Sequence, residues 1–352
     1  MSELHKFLFD GLPVRGMVVR LSDAWVQILQ RRAANNDTGA YPQPVRDLLG
    51  EMTAAAVLMQ ANIKFNGALV LQIFGDGPVK LAVVEVQPDL SVRATATVVG
   101  EVAAGASLSE MVNVINLGRC AITLDPRDRF PGQQPYQGVV PLFGDRKEKL
   151  EKFSEVLEHY MLQSEQLDTT LVLAANGEVA AGLLIQRLPN NGGQNTGGQI
   201  PISSASSEAK TAAQRAAMNL ESAPSYSNED EIGRNQDYQR IALLASTLKP
   251  EELLTLDVDT LLHRLCWEEK LLRFEALSGA SAPRFACRCN RERVSQMIRS
   301  LGVEEVESIL TEREDVEVGC DFCGQQYRFD AVDAAQIFKP DAGTVPGSSL
   351  LH

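Results

Sequence analysis

Four cysteines near the C-terminus constrain this chain more than any other feature of its sequence. They form two close pairs, Cys287/Cys289 and Cys320/Cys323, with thirty residues between the pairs. Thiolates are soft ligands that suit Zn²⁺, and four of them at tetrahedral positions make a closed structural site. Residues two apart share a side of an extended backbone, and a Cys-x-x-Cys turn aims both sulfurs at one point. The spacing therefore predicts a zinc site with these four ligands.

Two other uses of clustered cysteines fit the spacing less well. An iron–sulfur cluster also takes four cysteines, but the ferredoxin patterns are absent here. A thioredoxin-like redox pair requires Cys-x-x-Cys beside a strand and helix, without a second pair thirty residues away. Cys120 and Cys266 stand alone in the sequence. We expect both to behave as small hydrophobic residues.

The residues around the cysteine pairs predict a small unit that depends on its metal. Asn290 can cap a helix that ends at Gly302, a second helix is predicted over 303–310, and a hairpin is predicted from strands at 316–318 and 327–329. Structural zinc supplies on the order of 10–16 kcal/mol of apparent folding free energy in small finger units. Loss of the metal should unfold such a unit, and oxidation of the thiolates would remove the ligands. Most four-cysteine sites are constitutive, so the spacing leaves open whether this one is a switch.

Composition and periodicity divide the chain into four segments. Residues 1–188 are predicted to form an α+β core domain. Residues 189–230 are predicted to be a flexible insertion, because sixteen of their first nineteen residues are Pro, Asn, Gly, Gln, Thr or Ser. Residues 231–280 are predicted to form a helical linker, and residues 281–338 the zinc-binding domain. The predicted architecture is an α+β N-terminal domain, a helical linker and a small C-terminal zinc-binding domain.

Periodicity also predicts the elements of the first domain. Apolar residues at helical spacing indicate helices over 45–63 and 147–163. Several further runs alternate apolar and polar residues, as half-buried antiparallel strands do. These predicted strands are Val14–Leu21, Leu69–Phe74, Lys80–Val86, Val92–Val99, Arg119–Leu124, Gly138–Leu142 and Val179–Leu188.

The predicted linker contains many leucines and many carboxylates. Leucines at this density need a partner surface. The linker is either a helical connector packed on the first domain or a dedicated interaction surface, and the sequence alone leaves both interpretations open.

The net charge of the chain limits the classes of molecule that it is expected to bind. The chain has 33 Lys and Arg against 46 Asp and Glu, which gives a net charge of −13. A protein of that charge repels phosphate backbones and anionic lipids, so neither nucleic acid nor a membrane is a predicted partner. Five arginines near the first cysteine pair have two interpretations, a nucleic-acid contact or a solvated helix face. They are Arg284, Arg288, Arg291, Arg293 and Arg299.

The sequence was also searched for patterns typical of secretion signals, membrane-spanning helices and catalytic sites. Charged residues interrupt the apolar residues of the first sixteen positions, and no apolar run has the length of a membrane-spanning helix. A cytoplasmic location is therefore predicted. The four histidines form no recognisable triad, and the turn Gly75-Asp76-Gly77-Pro78 lacks the lysine of a phosphate-binding loop. No enzyme activity is predicted.

The cysteine pairs resemble the zinc motif of the heat shock protein 33 family, the redox-regulated bacterial holdase chaperones. These pairs are the specific part of the likeness, and further matches extend it over nearly the whole chain. The supporting matches are Val14-Arg15-Gly16, Tyr41-Pro42-Gln43-Pro44-Val45, Gly75-Asp76-Gly77-Pro78, Tyr136-Gln137-Gly138-Val139-Val140-Pro141-Leu142, Gln163-Ser164-Glu165-Gln166, Arg291-Glu292-Arg293-Val294, Ser300-Leu301-Gly302 and Cys323-Gly324-Gln325-Gln326-Tyr327-Arg328-Phe329-Asp330. The insertion after Pro189 is a departure from compact members of the family.

The resemblance implies an ATP-independent chaperone that protects unfolding and oxidatively damaged proteins from aggregation. It implies that Zn²⁺ keeps the protein inactive, and that oxidation pairs Cys287 with Cys289 and Cys320 with Cys323. The zinc unit and then the linker would unfold, which exposes apolar surface to client proteins and favours a homodimer. The implied client-binding residues are Leu243, Leu244, Leu248, Leu253, Leu254, Leu261 and Leu262. The alternative is a constitutive zinc module that binds nucleic acid or a protein partner.

Overall fold

The computed structural model describes residues 1–35, 38–128, 130, 132–188 and 228–339. The predicted insertion at 189–230 lies outside these residues except at its end, where a helix already begins at Asn228. The chain divides into two units, Met1–Ala286 and Cys287–His352. The linker segment belongs to the first of them, and the division of the chain into four segments stays a prediction.

The first unit combines strands from its whole length with helices between them. Its strands are β1 (Glu3–Phe9), β2 (Val14–Leu21), β3 (Gly67–Phe74), β4 (Val79–Val86), β5 (Ser91–Val98), β6 (Arg119–Pro126), β7 (Tyr136–Pro141), β8 (Thr169–Ala175), β9 (Ala180–Arg187), β10 (Leu271–Arg273) and β11 (Arg284–Phe285). Its helices are α1 (Asp23–Ala33), α2 (Gln43–Asn62), α3 (Leu108–Val112), α4 (Phe153–Glu165), α5 (Asn228–Ser246), α6 (Pro250–Thr255) and α7 (Val258–Cys266). The predicted α+β class is confirmed.

Helix α2 lies against both sheets of the first unit. The first sheet has the strand order β10-β1-β2-β9-β8, and the second has the order β11-β5-β4-β3-β6-β7. Small and medium side chains such as Ala54, Ala56 and Leu58 are completely buried in α2, so strands approach it from several sides. The alanine-rich composition of this helix is therefore explained by close packing, as its sequence indicates.

The first sheet is buried on both of its faces. In β9, Ala180 and Leu184 pack into the cluster around α2, whereas Leu183 and Ile185 pack with residues of α5, α6 and α7. Successive side chains of a strand point to opposite faces, so a nearly continuous apolar run is what a doubly covered strand requires. The linker helices thus pack on the first domain, as one of the two interpretations of the linker proposed.

The sequence prediction was wrong about where α4 begins. Helix was predicted from Lys147, but the structure begins it at Phe153. Lys147 has a left-handed backbone with φ of 62°, and its N–H donates to the carbonyl of Gly144 at 2.9 Å in a tight turn. At the true start, the Glu155 carboxylate accepts a hydrogen bond from the N–H of Lys152 at 3.3 Å, which satisfies an amide that has no partner within the helix.

The second unit is a small α+β fold of five elements, and its sequence predicts all of them except the last helix. They are α8 (Arg291–Leu301), α9 (Val303–Glu312), β12 (Val316–Gly319), β13 (Gln326–Phe329) and α10 (Ala331–Ile337). The side chain of Asn290 accepts a hydrogen bond from the N–H of Arg293 at 2.8 Å, so the predicted helix cap is confirmed. Strands β12 and β13 pair as an antiparallel hairpin. Within the described ranges, no helix has the length and apolar character needed to span a bilayer.

Candidate metal centre and the covered face of the first sheet

Backbone geometry brings the second cysteine pair together in the turn between β12 and β13. The N–H of Cys320 donates to the carbonyl of Gln325 at 3.0 Å, and the N–H of Gly324 donates to the carbonyl of Cys320 at 2.7 Å. Gly324 has φ of 72°, which is the left-handed region that favours glycine. The turn Cys320–Gly324 is therefore closed by its own backbone, and it holds Cys320 and Cys323 on one side of the hairpin end.

The four sulfur atoms form one cluster. Their Sγ atoms all lie within 4.8 Å of one another. The Cys287 and Cys320 sulfurs are 3.6 Å apart, and the Cys289 and Cys323 sulfurs are 3.2 Å apart. Four sulfurs bound tetrahedrally to Zn²⁺ would lie roughly 3.8 Å from each other, given a zinc–sulfur distance of about 2.3 Å. The cluster therefore has the ligand number, ligand chemistry and spacing to hold a metal ion.

The sulfurs also influence the ionisation of one another. The hydrogen bond from Cys320 stabilises a thiolate on Cys287 and lowers the pKa of the Cys287 thiol, while the same contact raises the pKa of Cys320. A bound divalent cation favours the deprotonated form of every sulfur that it contacts. Within the metal-free cluster, the thiolate form is therefore favoured at Cys287, whose charge the Cys320 thiol stabilises.

The apolar core of the second unit is small. Six buried hydrophobic residues form it, namely Val294, Ile298, Val306, Val316, Phe329 and Ala334. Arg291 adds a polar tie, because its guanidinium lies 4.2 Å from the centre of the Phe329 ring and 2.6 Å from a carboxylate oxygen of Asp333. A core of this size rarely stabilises a fold alone, which is why small units recruit metals.

Most of the arginines near the first cysteine pair make contacts inside their own unit. Arg299 donates to the carbonyl of Ile337 at 2.7 Å, and Arg293 donates to the carbonyl of Arg288 at 3.2 Å. Arg284 pairs with Asp89 in the first unit. With the Arg291–Asp333 ion pair, these contacts give four of the five arginines a partner inside the protein.

The linker leucines lie on the outer face of the first sheet. Leu248, Leu253, Leu261 and Leu262 are buried in an apolar cluster with Phe7, Phe9, Val18, Leu183 and Ile185 of the sheet. Leu244 and Leu254 are partly buried against the same cluster. Leu243 differs from the other predicted residues, because 68% of its surface is exposed. The structure thus places six of the seven leucines in one apolar interface, four of them buried and two partly buried.

Arg20 of β2 attaches the linker to the sheet by polar contacts. Its guanidinium donates to the carbonyls of Leu253 at 3.2 Å, Leu254 at 2.6 Å and Leu256 at 3.1 Å. Carbonyls in the last turn of a helix have no partner within the helix. Arg20 therefore caps the C-terminal end of α6, a contact that the sequence did not reveal because it joins residues more than 230 positions apart.

Arg20→Ala is expected to loosen the linker without unfolding the sheet. Hydrogen bonds from a charged donor contribute about 1.5–3 kcal/mol each, so amide hydrogen exchange in α6 and α7 should accelerate by at least about tenfold. Arg264→Ala is the matched control, because Arg264 pairs with Glu252 on the exposed side of the same region. Surface ion pairs contribute only about 0–1 kcal/mol. Equal exchange rates in the two variants would contradict the role given to Arg20.

The two isolated cysteines are buried hydrophobic positions, as predicted. Cys120 packs in the cluster around α2, and Cys266 packs in the cluster beneath the linker. Burial raises the pKa of the Cys120 thiol to about 12 and that of the Cys266 thiol to about 11. Neither thiol forms appreciable thiolate at neutral pH, so the reactive sulfur of the described chain is concentrated in the four-cysteine cluster.

Known proteins match this chain over nearly its full length. A model of the family described as Hsp33 protein matches residues 2–330. The 33 kDa chaperonin of Chromobacterium violaceum is 42% identical over 340 residues, covering 97% of this chain and 95% of that protein. The 33 kDa chaperonin of Methylobacillus flagellatus is 39% identical over 352 residues, covering 100% of this chain and 99% of that protein.

A solved structure has the same fold. The crystal structure of the 33 kDa chaperonin of Thermotoga maritima, a heat shock protein 33 homologue, matches with a TM-score of 0.66 at 18% sequence identity. The match covers 95% of this chain and 97% of that chain. Fold, sequence relatives and cysteine cluster together define a molecular chaperone, and redox regulation fits the cluster. The chain belongs to the Hsp33 family.

Proposed function

We propose that this chain is a redox-switched, ATP-independent holdase. Its reduced form binds Zn²⁺ through Cys287, Cys289, Cys320 and Cys323. Its oxidised form binds unfolding proteins through apolar surface that the linker covers in the structure. The observation that carries this proposal is the combination of four clustered sulfurs with a leucine-rich linker packed on the first sheet.

Zinc is the metal that the donor set favours. Four sulfur ligands at these distances suit tetrahedral coordination, and four thiolates without a histidine or carboxylate select a soft or borderline cation. When bound, the metal supplies a folding constraint, since it joins the extended residues before α8 to the hairpin end of β12 and β13. The half-buried sulfurs remain within reach of a small oxidant.

Oxidation is the step that would release the metal. Formation of the Cys287–Cys289 and Cys320–Cys323 disulfides removes four electrons from four thiolates, and two molecules of hydrogen peroxide accept them and become four molecules of water after taking up protons. No thiolate ligand then remains for the metal. The second unit loses its main constraint, because its apolar core of six buried residues is small.

The client surface in this proposal is the interface between linker and sheet. Six of the seven leucines named from the sequence, all except the exposed Leu243, supply the linker side of a large apolar cluster together with Ile241, Val258 and Leu265. Exposed apolar area of that extent binds partly unfolded chains or a second copy of the same protein. We therefore also propose that the oxidised form is a homodimer, that unfolding proteins are its partners, and that neither nucleic acid nor membranes are.

A cytoplasmic location is part of the proposal. A reducing compartment keeps cysteine thiolates available for zinc, and it makes their oxidation a signal rather than a default state. The net charge of −13 supports the exclusion of nucleic acid and anionic membranes as partners.

The proposal is tested by following zinc release and apolar-dye binding together while peroxide and mild heat are applied. We expect both signals to rise together, and we expect the oxidised protein to suppress aggregation of a heat-labile enzyme when the reduced protein does not. Cys120→Ala is the control, because this buried thiol packs in the cluster around α2, outside both the sulfur cluster and the linker interface. Zinc release without dye binding or protection of the client would refute the holdase. Salt-sensitive RNA binding by the reduced protein would favour the constitutive zinc module instead.

A further inference from the structure

The outer edge of β5 is covered by a very short strand of the chain itself. Strand β11 has two residues and pairs in parallel with β5, while the other pairings of that sheet are antiparallel. The N–H of Arg284 donates to the carbonyl of Leu90 at 3.2 Å, and the N–H of Ala286 donates to the carbonyl of Val92 at 3.1 Å. These two bonds satisfy main-chain groups that an edge strand would otherwise present to other chains.

The other end of the same edge is covered by a side chain. The hydroxyl of Tyr41 accepts a hydrogen bond from the N–H of Ala96 at 2.8 Å. The guanidinium of Arg32 lies 4.4 Å from the centre of the Tyr41 ring and helps to hold it there. Folded proteins cover edge strands in this way when the edge would accept a further strand. The edge of β5 is thus competent for pairing along much of its length.

The side chains of the resident strand occupy shaped positions. The Phe285 ring packs against the main core of the first unit, and the guanidinium of Arg31 lies 4.6 Å from its centre. Arg284 pairs with the carboxylate of Asp89 and donates to its carbonyl at 3.1 Å. The site therefore recognises main chain by hydrogen bonds, an aromatic side chain by packing and a cation–π contact, and a basic side chain by an ion pair.

The resident strand is also the segment directly attached to the cysteine cluster. Cys287 follows Phe285 by two residues in the sequence. Two ladder residues hold a strand weakly, because fixing the backbone of each residue costs about 1–2 kcal/mol of conformational entropy. A metal site immediately after β11 limits the freedom of the chain at that point, and this restraint disappears when the second unit unfolds.

We propose that the outer edge of β5 is a binding site for an extended segment of an unfolding client, and that Arg284-Phe285-Ala286 occupies this site until the switch operates. The inference rests on the proposed function, because it requires that β11 covers the edge of β5 in the reduced form and leaves it in the oxidised form. Unfolded chains present extended main chain with free N–H groups, which is what strand addition uses. The preferred client segment has an aromatic or large apolar residue beside a basic one, as the resident strand has.

The test uses a fluorescent peptide of the resident sequence, Ser-Ala-Pro-Arg-Phe-Ala, which corresponds to residues 281–286. We expect it to bind the oxidised full-length protein at least about tenfold more tightly than the reduced protein, because the resident strand competes with it only in the reduced form. The binding is measured by fluorescence anisotropy.

Two methylated peptides form a matched pair of controls. A methyl group on the nitrogen of the Ala286 equivalent removes a donor that faces β5, and we expect affinity to fall at least about tenfold. A methyl group on the nitrogen of the Phe285 equivalent is expected to change affinity by less than about threefold, because alternate N–H groups of a strand point away from its partner. Equal losses in the two peptides would overturn the proposal.

The same substitution should have opposite effects in the protein and in the peptide. Phe285→Ala in the protein weakens the resident strand and should raise peptide binding by the reduced protein about tenfold, whereas Phe→Ala in the peptide should weaken binding to the oxidised protein. Phe274→Ala is the protein control, because Phe274 is half exposed and lies outside β11. Weaker peptide binding by the Phe285→Ala protein would contradict competition for one site.

The outcomes separate this inference from the proposed function. Oxidised protein that suppresses client aggregation but does not bind the peptide would overturn the strand site and leave the holdase intact. Protein that binds the peptide with the expected methylation pattern but suppresses no aggregation would refute the holdase alone. Peptide that converts an oxidised dimer to monomers would identify a second copy as the occupant, and it would overturn the assignment to clients.

Discussion

Cys320→Ser is expected to unfold the second unit while the first unit stays folded. The substitution removes one of four clustered sulfurs, and structural zinc contributes on the order of 10–16 kcal/mol to the folding of small units of this kind. The remaining apolar core of six buried residues is too small to compensate. Hydrogen exchange should show rapid loss of amide protection in α8, α9 and α10, and metal analysis should show loss of bound zinc.

Cys266→Ala provides the comparison for this experiment. Cys266 is buried at the end of α7 and lies outside the sulfur cluster, so the variant should keep its zinc and its protected amides in the second unit. Zinc-free Cys320→Ser protein that retained full protection in α8 to α10 would show that the metal does not stabilise this unit. The proposed switch would then have no physical basis.

Ile241→Asp is expected to make the reduced protein active as a chaperone. Ile241 is buried in the cluster between α5 and the first sheet, and an unpaired carboxylate in such a place costs several kcal/mol. A cost of that size shifts the equilibrium between docked and undocked linker by more than about a hundredfold. Apolar-dye binding and suppression of client aggregation should both appear without oxidant, while zinc stays bound.

Leu243→Asp is the matched control, since Leu243 lies two residues away on the same helix and is exposed to solvent. It should change neither dye binding nor chaperone activity in the reduced state. If both variants remain inactive until they are oxidised, displacement of the linker is not sufficient to create the client surface. If both variants are active without oxidant, the effect comes from a carboxylate anywhere on α5 and not from its burial against the sheet.

Local patterns in the sequence predicted most elements, and non-local contacts explain those that it missed. Strand β1 was not predicted, because charged and apolar residues mix along it without clear alternation. Lys6 is nevertheless accommodated, as its amino group donates to the carbonyl of Ala61 at 2.5 Å. Lys6 and Ala61 are far apart in the chain, so a contact between them cannot be predicted from local patterns in a single sequence. Strand β8 and helix α1 were also not predicted, although both contribute to the cluster around α2.

The candidate site shows the same division between local and non-local information. The sulfur cluster could be predicted because each cysteine pair is fixed by a few neighbouring residues. The sequence identified the linker leucines as a group, but it did not show which of them are buried. That depends on how each linker helix is rotated about its axis, and the sheet beneath the helix determines this rotation. Leu243 is exposed for this reason, and the contact of Arg20 with α6 could not be predicted at all.

The sheet with two covered faces determines how the protein could recover after stress. The residues that pack around α2 and those that pack beneath the linker form two separate clusters, although both use the same strands. Departure of the linker helices therefore leaves the inner cluster, and every strand pairing from β1 to β9, in place. Return to the resting state requires only local helix formation on a preformed template, which avoids the slow search for distant strand partners.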